Sequence, residues 1–230
     1  MKTIYYKVLI PILLTGLTLI SFSCQEEESA WFPVVGRGNV QTEYRNAEHF
    51  QKIKCLMSGD VIIQQSKSQT LRVSAQENLL ALLETKVVNG TLLITFGSHV
   101  IETDSIVTVF VSIPEINEMT FSVTGNVISN LGIPIINLTG SGNIRCTGET
   151  DQVSVKLSGS GTVNLDEMKV KTANVKISGN GNVSLNVTDN LDVSIPGMGV
   201  VYYRGMPNVQ KNITGMGQVI EKNEKMSTQL

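Results

Sequence analysis

From Met119 onward, apolar and polar residues alternate in short runs, and glycine breaks the runs at regular intervals. Met119, Phe121 and Val123 share one parity, as do Ile136 and Leu138, Val153, Val155 and Leu157, Ala173, Val175 and Ile177, and Leu191, Val193 and Ile195. After each break the alternation resumes, at Ile144/Cys146, Val163/Leu165, Val183/Leu185/Val187 and Val201/Tyr203. Period two on both sides of a glycine turn predicts strand, corner, strand. The breaks themselves repeat: Thr124-Gly125-Asn126, Gly140-Ser141-Gly142, Gly159-Ser160-Gly161, Gly179-Asn180-Gly181, Gly197-Met198-Gly199 and Gly215-Met216-Gly217. Their later glycines, at 125, 142, 161, 181, 199 and 217, are spaced by 17, 19, 20, 18 and 18 residues.

A unit that short cannot bury its own apolar face, but stacked units can, each strand pairing with its counterpart one coil away. The predicted fold is all-β: a single-domain parallel β-solenoid of five or six coils, about 18–20 residues each, with Gly-x-Gly corners. Glycine is expected at the corners because a sharp turn takes φ > 0. Asn126, Asn143 and Asn182 predict a partial amide ladder, interrupted at Thr162, Val200 and Gln218. Two outward rows follow from the same alignment, one through Ser/Thr at 124, 139, 158, 178 and 214, the other through Ser122, Asn137, Lys156, Lys176, Ser194 and Asn212.

The first half is less regular. Gly36-Arg37-Gly38-Asn39-Val40 and Ser58-Gly59-Asp60-Val61 echo the repeat, which suggests that the solenoid begins there. Val61–Ile63, Leu71–Val73 and Ile106–Ile113 read as strands, and Asn78–Leu83 as a short helix or a strand. Asn89-Gly90 between two apolar runs predicts a type I′ hairpin.

The N-terminus follows a different pattern. Lys2 and Lys7 precede an apolar run of fifteen residues, Val8 to Phe22, short for a membrane span and right for a signal peptide. Ser21-Phe22-Ser23-Cys24 resembles the bacterial lipobox, which implies that Cys24 is diacylated and anchors the mature chain in a membrane; Ser21 stands where leucine is usual. The acidic tract Gln25–Glu28 resembles a surface-export signal of some Gram-negative lipoproteins and reads equally as a solvated tether. The expected organisation is signal peptide 1–23, acidic tether 24–34, solenoid 35–220 and charged tail 221–230. The expected location is the outer membrane, facing the cell surface or, as the alternative, the periplasm.

With 18 basic and 20 acidic residues, and two lysines lost with the signal, the mature chain carries 16 against 20, a net charge of −4. Such a chain has no electrostatic footprint for a nucleic-acid backbone. With Cys24 lipidated, Cys55 and Cys146 remain in a compartment that permits a disulfide; both share parity with apolar neighbours and read as core thiols.

Together, Ser58-Gly59-Asp60-Val61, Val111-Ser112-Ile113-Pro114-Glu115-Ile116, the serial Gly-x-Gly turns and the closing Tyr202-Tyr203-Arg204-Gly205-Met206-Pro207-Asn208-Val209 resemble the head GIN domain of "putative auto-transporter adhesins". The likeness covers nearly the whole mature chain. It implies an exported, lipid-anchored β-solenoid with adhesin-like use, contacting glycans or proteins at the cell surface. Met198 and Met216 depart from the usual Gly-Ser-Gly.

Catalytic signals are weak. No Gly-x-Gly here opens a helix, as a dinucleotide site requires, and the nine-residue aspartate period of a calcium roll is missing. No cofactor or metal is expected. His49 and His99 stand in no recognisable setting. A β-helical polysaccharide enzyme would align carboxylates along one groove; Asp151, Asp166, Glu167, Asp189 and Asp192 are the candidates, but they fall at different offsets from their glycines. A non-catalytic binding module therefore leads, ahead of a purely architectural envelope protein and a glycan-active enzyme. Two smaller features complete the reading. Asp104-Ser105-Ile106 resembles a short acceptor pattern for O-glycosylation at Ser105. Met198, Met216 and Tyr202 are expected to form an outer apolar patch for a partner, beside a stack that the charged run from Glu221 brings to an end.

Overall fold

The computed structural model describes residues 32–222, which form one compact, nearly all-β unit. Two long walls of parallel strands face each other across an apolar core. One wall stacks Thr91–Thr95, Lys52–Cys55, Glu118–Phe121 and Ile135–Leu138. It continues through the later parts of Gly148–Leu157, Thr162–Ile177 and Asn182–Ile195, and ends at Asn208–Ile213. The opposite wall stacks Thr108–Ile113, Asp60–Gln65, Asn126–Ser129 and Asn143–Cys146. Its upper strands are the first parts of Thr162–Ile177 and Asn182–Ile195, then Val200–Arg204 and Gln218–Glu221. Register steps such as Ile135↔Ser154 and Asn190↔Asn208 reproduce the period read from the glycines.

Parity decides what is buried. Ile53, Met119, Ile136, Val155 and Val175 line one wall, and Val61, Val127, Ile144, Val163 and Val183 the other, all essentially inaccessible. Each valine or isoleucine taken out of water contributes roughly 1.5–3 kcal/mol, so the stacked columns supply the main driving force. Cys55 and Cys146 sit in these columns as free thiols, as their parity predicted.

Three expectations need correction. The first concerns the corner glycines. Gly140, Gly142, Gly159, Gly161, Gly179, Gly181, Gly197, Gly199, Gly215 and Gly217 do not adopt positive φ; among the repeat glycines only Gly59 and Gly125 do. What excludes a side chain is the coil beneath. A Cβ on Gly161 would collide with the carbonyl oxygen of Gly142, on Gly181 with that of Gly161, and on Gly199 with that of Gly181. Those oxygens accept hydrogen bonds from the next coil, Thr162 N–H to Gly142 at 3.1 Å and Asn182 N–H to Gly161 at 3.1 Å.

The second concerns the start. Ser58–Val61 is a true corner, but Gly36–Val40 leads into Val40–Arg45, which runs antiparallel to Thr70–Gln76. Thr70–Gln76 and Glu84–Val88 pair antiparallel with the lowest coil, so it carries antiparallel neighbours where a further parallel coil would stack. The hairpin at Asn89-Gly90 forms with φ of 50° and 71°, and Glu77–Leu80 is helical. Coil order also departs from chain order: the coil of residues 52–65 lies between that of 91–113 and that of 118–129, with Cys55 paired to both Ile94 and Phe121.

The third concerns the polar rows. Phe121 pairs with Leu138, so Thr120, not Ser122, adjoins Asn137, and Ser122, not Thr124, aligns with Thr139. The predicted amide ladder is present at its lower end, where Asn143 Nδ2 donates to Asn126 Oδ1 at 3.3 Å and Asn126 Nδ2 to Asp60 Oδ1 at 2.9 Å.

The upper end closes differently. Val155, Val175 and Val193 form one inward column whose next member is Lys211; Leu165, Leu185 and Tyr203 form another whose next member is Glu221. Charges at core positions blunt a strand edge that would otherwise accept another chain. Replacing both, Lys211→Val with Glu221→Leu, should raise the mass seen in light scattering at micromolar concentration by about twofold or more over that of the wild type. An unchanged mass would show that these charges do not guard the edge.

Candidate functional site

The outer face of the first wall carries two columns, Ser154, Asn174, Asp192 and Gln210, and beside it Lys156, Lys176, Ser194 and Asn212. Alternation forces this arrangement, since Ser154, Asn174, Asp192, Lys156, Lys176 and Ser194 each flank buried apolar residues, and Gln210 and Asn212 continue their columns. Near the upper end, Asn174, Asp192, Ser194, Gln210, Lys211 and Asn212 line a shallow hollow of about 280 Å³. The side chains that face outward there are amides, a hydroxyl and one carboxylate, a donor and acceptor set suited to sugar hydroxyls or a polar peptide, with Lys211 at an inward position beside them.

The five candidate carboxylates do not all converge on one groove, although Asp151 and Asp189 both act on Lys171. Asp151 pairs with Lys171 at 2.8 Å, and Glu167 with Arg145 at 2.5 Å, both exposed. Asp189 accepts a hydrogen bond from Thr188 Oγ1 at 2.6 Å. Asp192 lies in the hollow. Asp166 belongs to a cluster that pattern reading did not find: Lys222 Nζ lies 2.8 Å from Asp166 Oδ2 and 2.5 Å from Ser184 Oγ, while Ser184 donates to Asp166 Oδ1. The Lys222 ammonium also lies 5.4 Å from the centre of the Tyr202 ring, and its backbone N–H donates to Tyr203 O at 2.7 Å. Lys222, expected in the charged tail that begins at Glu221, is thus folded back as a clasp across neighbouring coils. No sequence signal links Lys222 to Asp166, 56 residues away.

The other predicted residues fall as follows. Met198 and Met216 occupy equivalent corners one coil apart, and both are exposed; their backbone N–H groups donate to Gly179 O and Gly197 O at 3.0 Å. Tyr202 lies under the Lys222 clasp. Ser105 is half-buried in a turn, its hydroxyl donating to Asp104 Oδ1 at 3.1 Å. His49 and His99 are exposed. Burial pushes the Cys55 thiol up to about 11, despite a backbone hydrogen bond with Met57, and the Cys146 thiol up to about 12. Cys24 lies outside the described residues. Among the described residues no group of three or more His, Cys, Asp or Glu side chains could hold a metal ion, and no helix is long and apolar enough to cross a membrane.

The fold and its polar walls define a repetitive β-solenoid with a shallow polar hollow on one face. The chain belongs to the family described as "Putative auto-transporter adhesin, head GIN domain", whose profile matches residues 49–133 and 135–207. Solved structures that share the fold include the following three. A putative adhesin from Bacteroides fragilis is 17% identical, with a TM-score of 0.58, covering 82% of this chain and 100% of that one. A putative lipid binding protein from Parabacteroides distasonis is 22% identical, with a TM-score of 0.53 and coverage of 84% and 100%. A putative adhesin from Parabacteroides merdae is 23% identical, with a TM-score of 0.53 and coverage of 83% and 99%. No curated protein matches the chain.

The clasp generates a pH prediction. Burial raises the pKa of Asp166, but hydrogen bonds from Lys222 and Ser184 and the charges of Lys222 and Arg204 outweigh it and hold the carboxyl below its ordinary 3.8. A depressed folded pKa stabilises fully above the unfolded value and is lost as pH falls through the folded one. Wild type should therefore exceed Asp166→Asn by ~1 kcal/mol at pH 7, with the gap closing only below pH 3.8 in urea melts. An equal gap at pH 7 and pH 2.5 would contradict the pairing.

Proposed function

We propose that this protein is a non-catalytic lipoprotein of the cell envelope, anchored through Cys24 in the outer membrane, that holds its solenoid at the cell surface to bind glycans or proteins. The observation that carries the reading is the outer face: ladders of amide, hydroxyl and ammonium groups beside a shallow hollow, with the candidate carboxylates dispersed. A hydrolytic site would instead need two carboxyl groups flanking one bond. Membership of a family named for adhesins supports the same reading.

The hollow around Asp192 and Gln210 is the primary contact, and the Met198/Met216 corners are a second, because methionine adapts to varied partner surfaces. Ser105 is a modification site in this reading, and the intact mass of native protein reads its occupancy.

Protease added to intact cells should remove the domain, and Cys24→Ala should shift the protein from membranes to the soluble fraction. On a glycan array, Asp192→Ala with Gln210→Ala should weaken binding by about tenfold or more, the loss of one or two charge-assisted hydrogen bonds. Resistance to protease with unchanged membrane retention, or equal array binding by the double variant, would overturn the reading. Met198→Ser with Met216→Ser should leave thermal stability unchanged and weaken partner capture. Lost stability with unchanged capture would assign these residues to packing.

A further inference from the structure

We infer that the lower, N-terminal end of the solenoid carries an apolar surface that rests on the lipid bilayer beside the anchor, so that the solenoid stands on the membrane with its upper end outward. The inference rests on the anchoring of Cys24 proposed above.

Apolar side chains are exposed at this end, as Met198, Met206 and Met216 are at the other. Phe32 is 86% exposed, Ile106 65%, Val100 58% and Val35 44%. Backbone pairing brings their segments together. Val34–Val35 runs parallel to Ile101–Glu102, with Val34 N–H donating to Val100 O at 2.7 Å and Gly36 N–H to Glu102 O at 2.8 Å. A hydrogen bond from Thr103 Oγ1 to Ser105 O, at 3.1 Å, ties in the turn that precedes Ile106. Val107, next in sequence, is buried in the lowest coil, so this turn lies at the solenoid's base.

The position and chemistry of the patch choose its occupant. Phe32 is eight residues from Cys24, so the chain between them spans at most about 28 Å even when fully extended. A lipid on Cys24 therefore keeps this end of the domain within reach of the bilayer. Phe32 is an aromatic of the kind that membrane-interface segments place on their apolar face. The exposed polar residues beside it include Glu102, Asp104, Glu77 and Glu84, with Arg37 and His99. This excess of carboxylates matches the ammonium of a phosphatidylethanolamine headgroup better than an anionic surface, in keeping with the net charge of −4 of the mature chain.

The test uses the lipidated protein purified from membranes and reconstituted into phosphatidylethanolamine/phosphatidylcholine vesicles. One variant carries a fluorophore at Ile106→Cys and another at Ser178→Cys, an exposed corner residue five coils further along the stack, about 24 Å away at the usual strand spacing. Cys55 and Cys146 are buried thiols with raised pKa and do not compete for the label. Brominated acyl chains should quench the label at position 106 about twofold, because an interfacial side chain enters the headgroup boundary by ~5–10 Å. They should leave the label at 178 unchanged. Adding Phe32→Ser and Val100→Ser should abolish the quenching while the chain stays vesicle-bound. An unquenched label at 106 on vesicle-bound protein overturns the inference and leaves the anchor intact. Equal quenching at both positions overturns the upright orientation. A native Cys24 peptide without diacylglycerol mass overturns the anchor, and the inference with it.

Discussion

The structure depends on how closely successive coils approach at their corners. Along one column, Gly59, Gly125, Gly142, Gly161, Gly181, Gly199 and Gly217 lie one above another, and the carbonyl oxygen of each sits where a Cβ on the next would have to be. The same oxygen, in Gly125, Gly142, Gly161, Gly181 and Gly199, accepts the N–H of the residue after the next glycine, at 2.8–3.3 Å. A side chain at the corner would push the coils apart and break the ladder that aligns both walls. Only the intervening residue is free, which is why Ser141, Ser160, Asn180, Met198 and Met216 all serve there.

Fixed corners fix everything outward from them. With glycines in register, Val155 stacks between Ile136 and Val175, and Asn174 between Ser154 and Asp192, so the core and the polar face are products of one alignment. The two ends then need separate solutions. At the lower end, antiparallel strands occupy the edge of the lowest coil. At the upper end, Lys211 and Glu221 put charge into core columns, and Lys222 clasps Asp166 and Ser184.

How much of this was legible in the sequence follows from which interactions are local. Strand, corner and period were visible because parity and glycine spacing are written in consecutive residues; so was the hairpin at Asn89-Gly90. The reason for the glycines was not, since a clash between Gly161 and Gly142 exists only after stacking. The placement of the coil of residues 52–65 between later ones was equally hidden, because Cys55 offers the same strand pattern to Ile94 and to Phe121. Lys211 did leave a signal: Val209-Gln210-Lys211-Asn212-Ile213 sets a lysine where Leu191-Asp192-Val193-Ser194-Ile195 has valine. The Lys222 clasp left none, as an ion pair across several coils has no local pattern. The polar hollow is legible only in part, because its residues read as ordinary outward positions until the last coil gives them an edge.

The dependence on coil approach can be measured directly by comparing Gly161→Ala with Asn180→Ala and Gly90→Ala in urea unfolding. If stacking excludes the Cβ, Gly161→Ala loses ~3 kcal/mol or more, as overpacking against backbone does, while the exposed corner residue Asn180 changes stability by less than ~0.5 kcal/mol. Gly90, with φ of +71° and open space around it, gives the cost of backbone conformation alone, about 1 kcal/mol. A Gly161→Ala cost no larger than that of Gly90→Ala would mean that the corners tolerate a side chain and that close stacking does not hold the solenoid together.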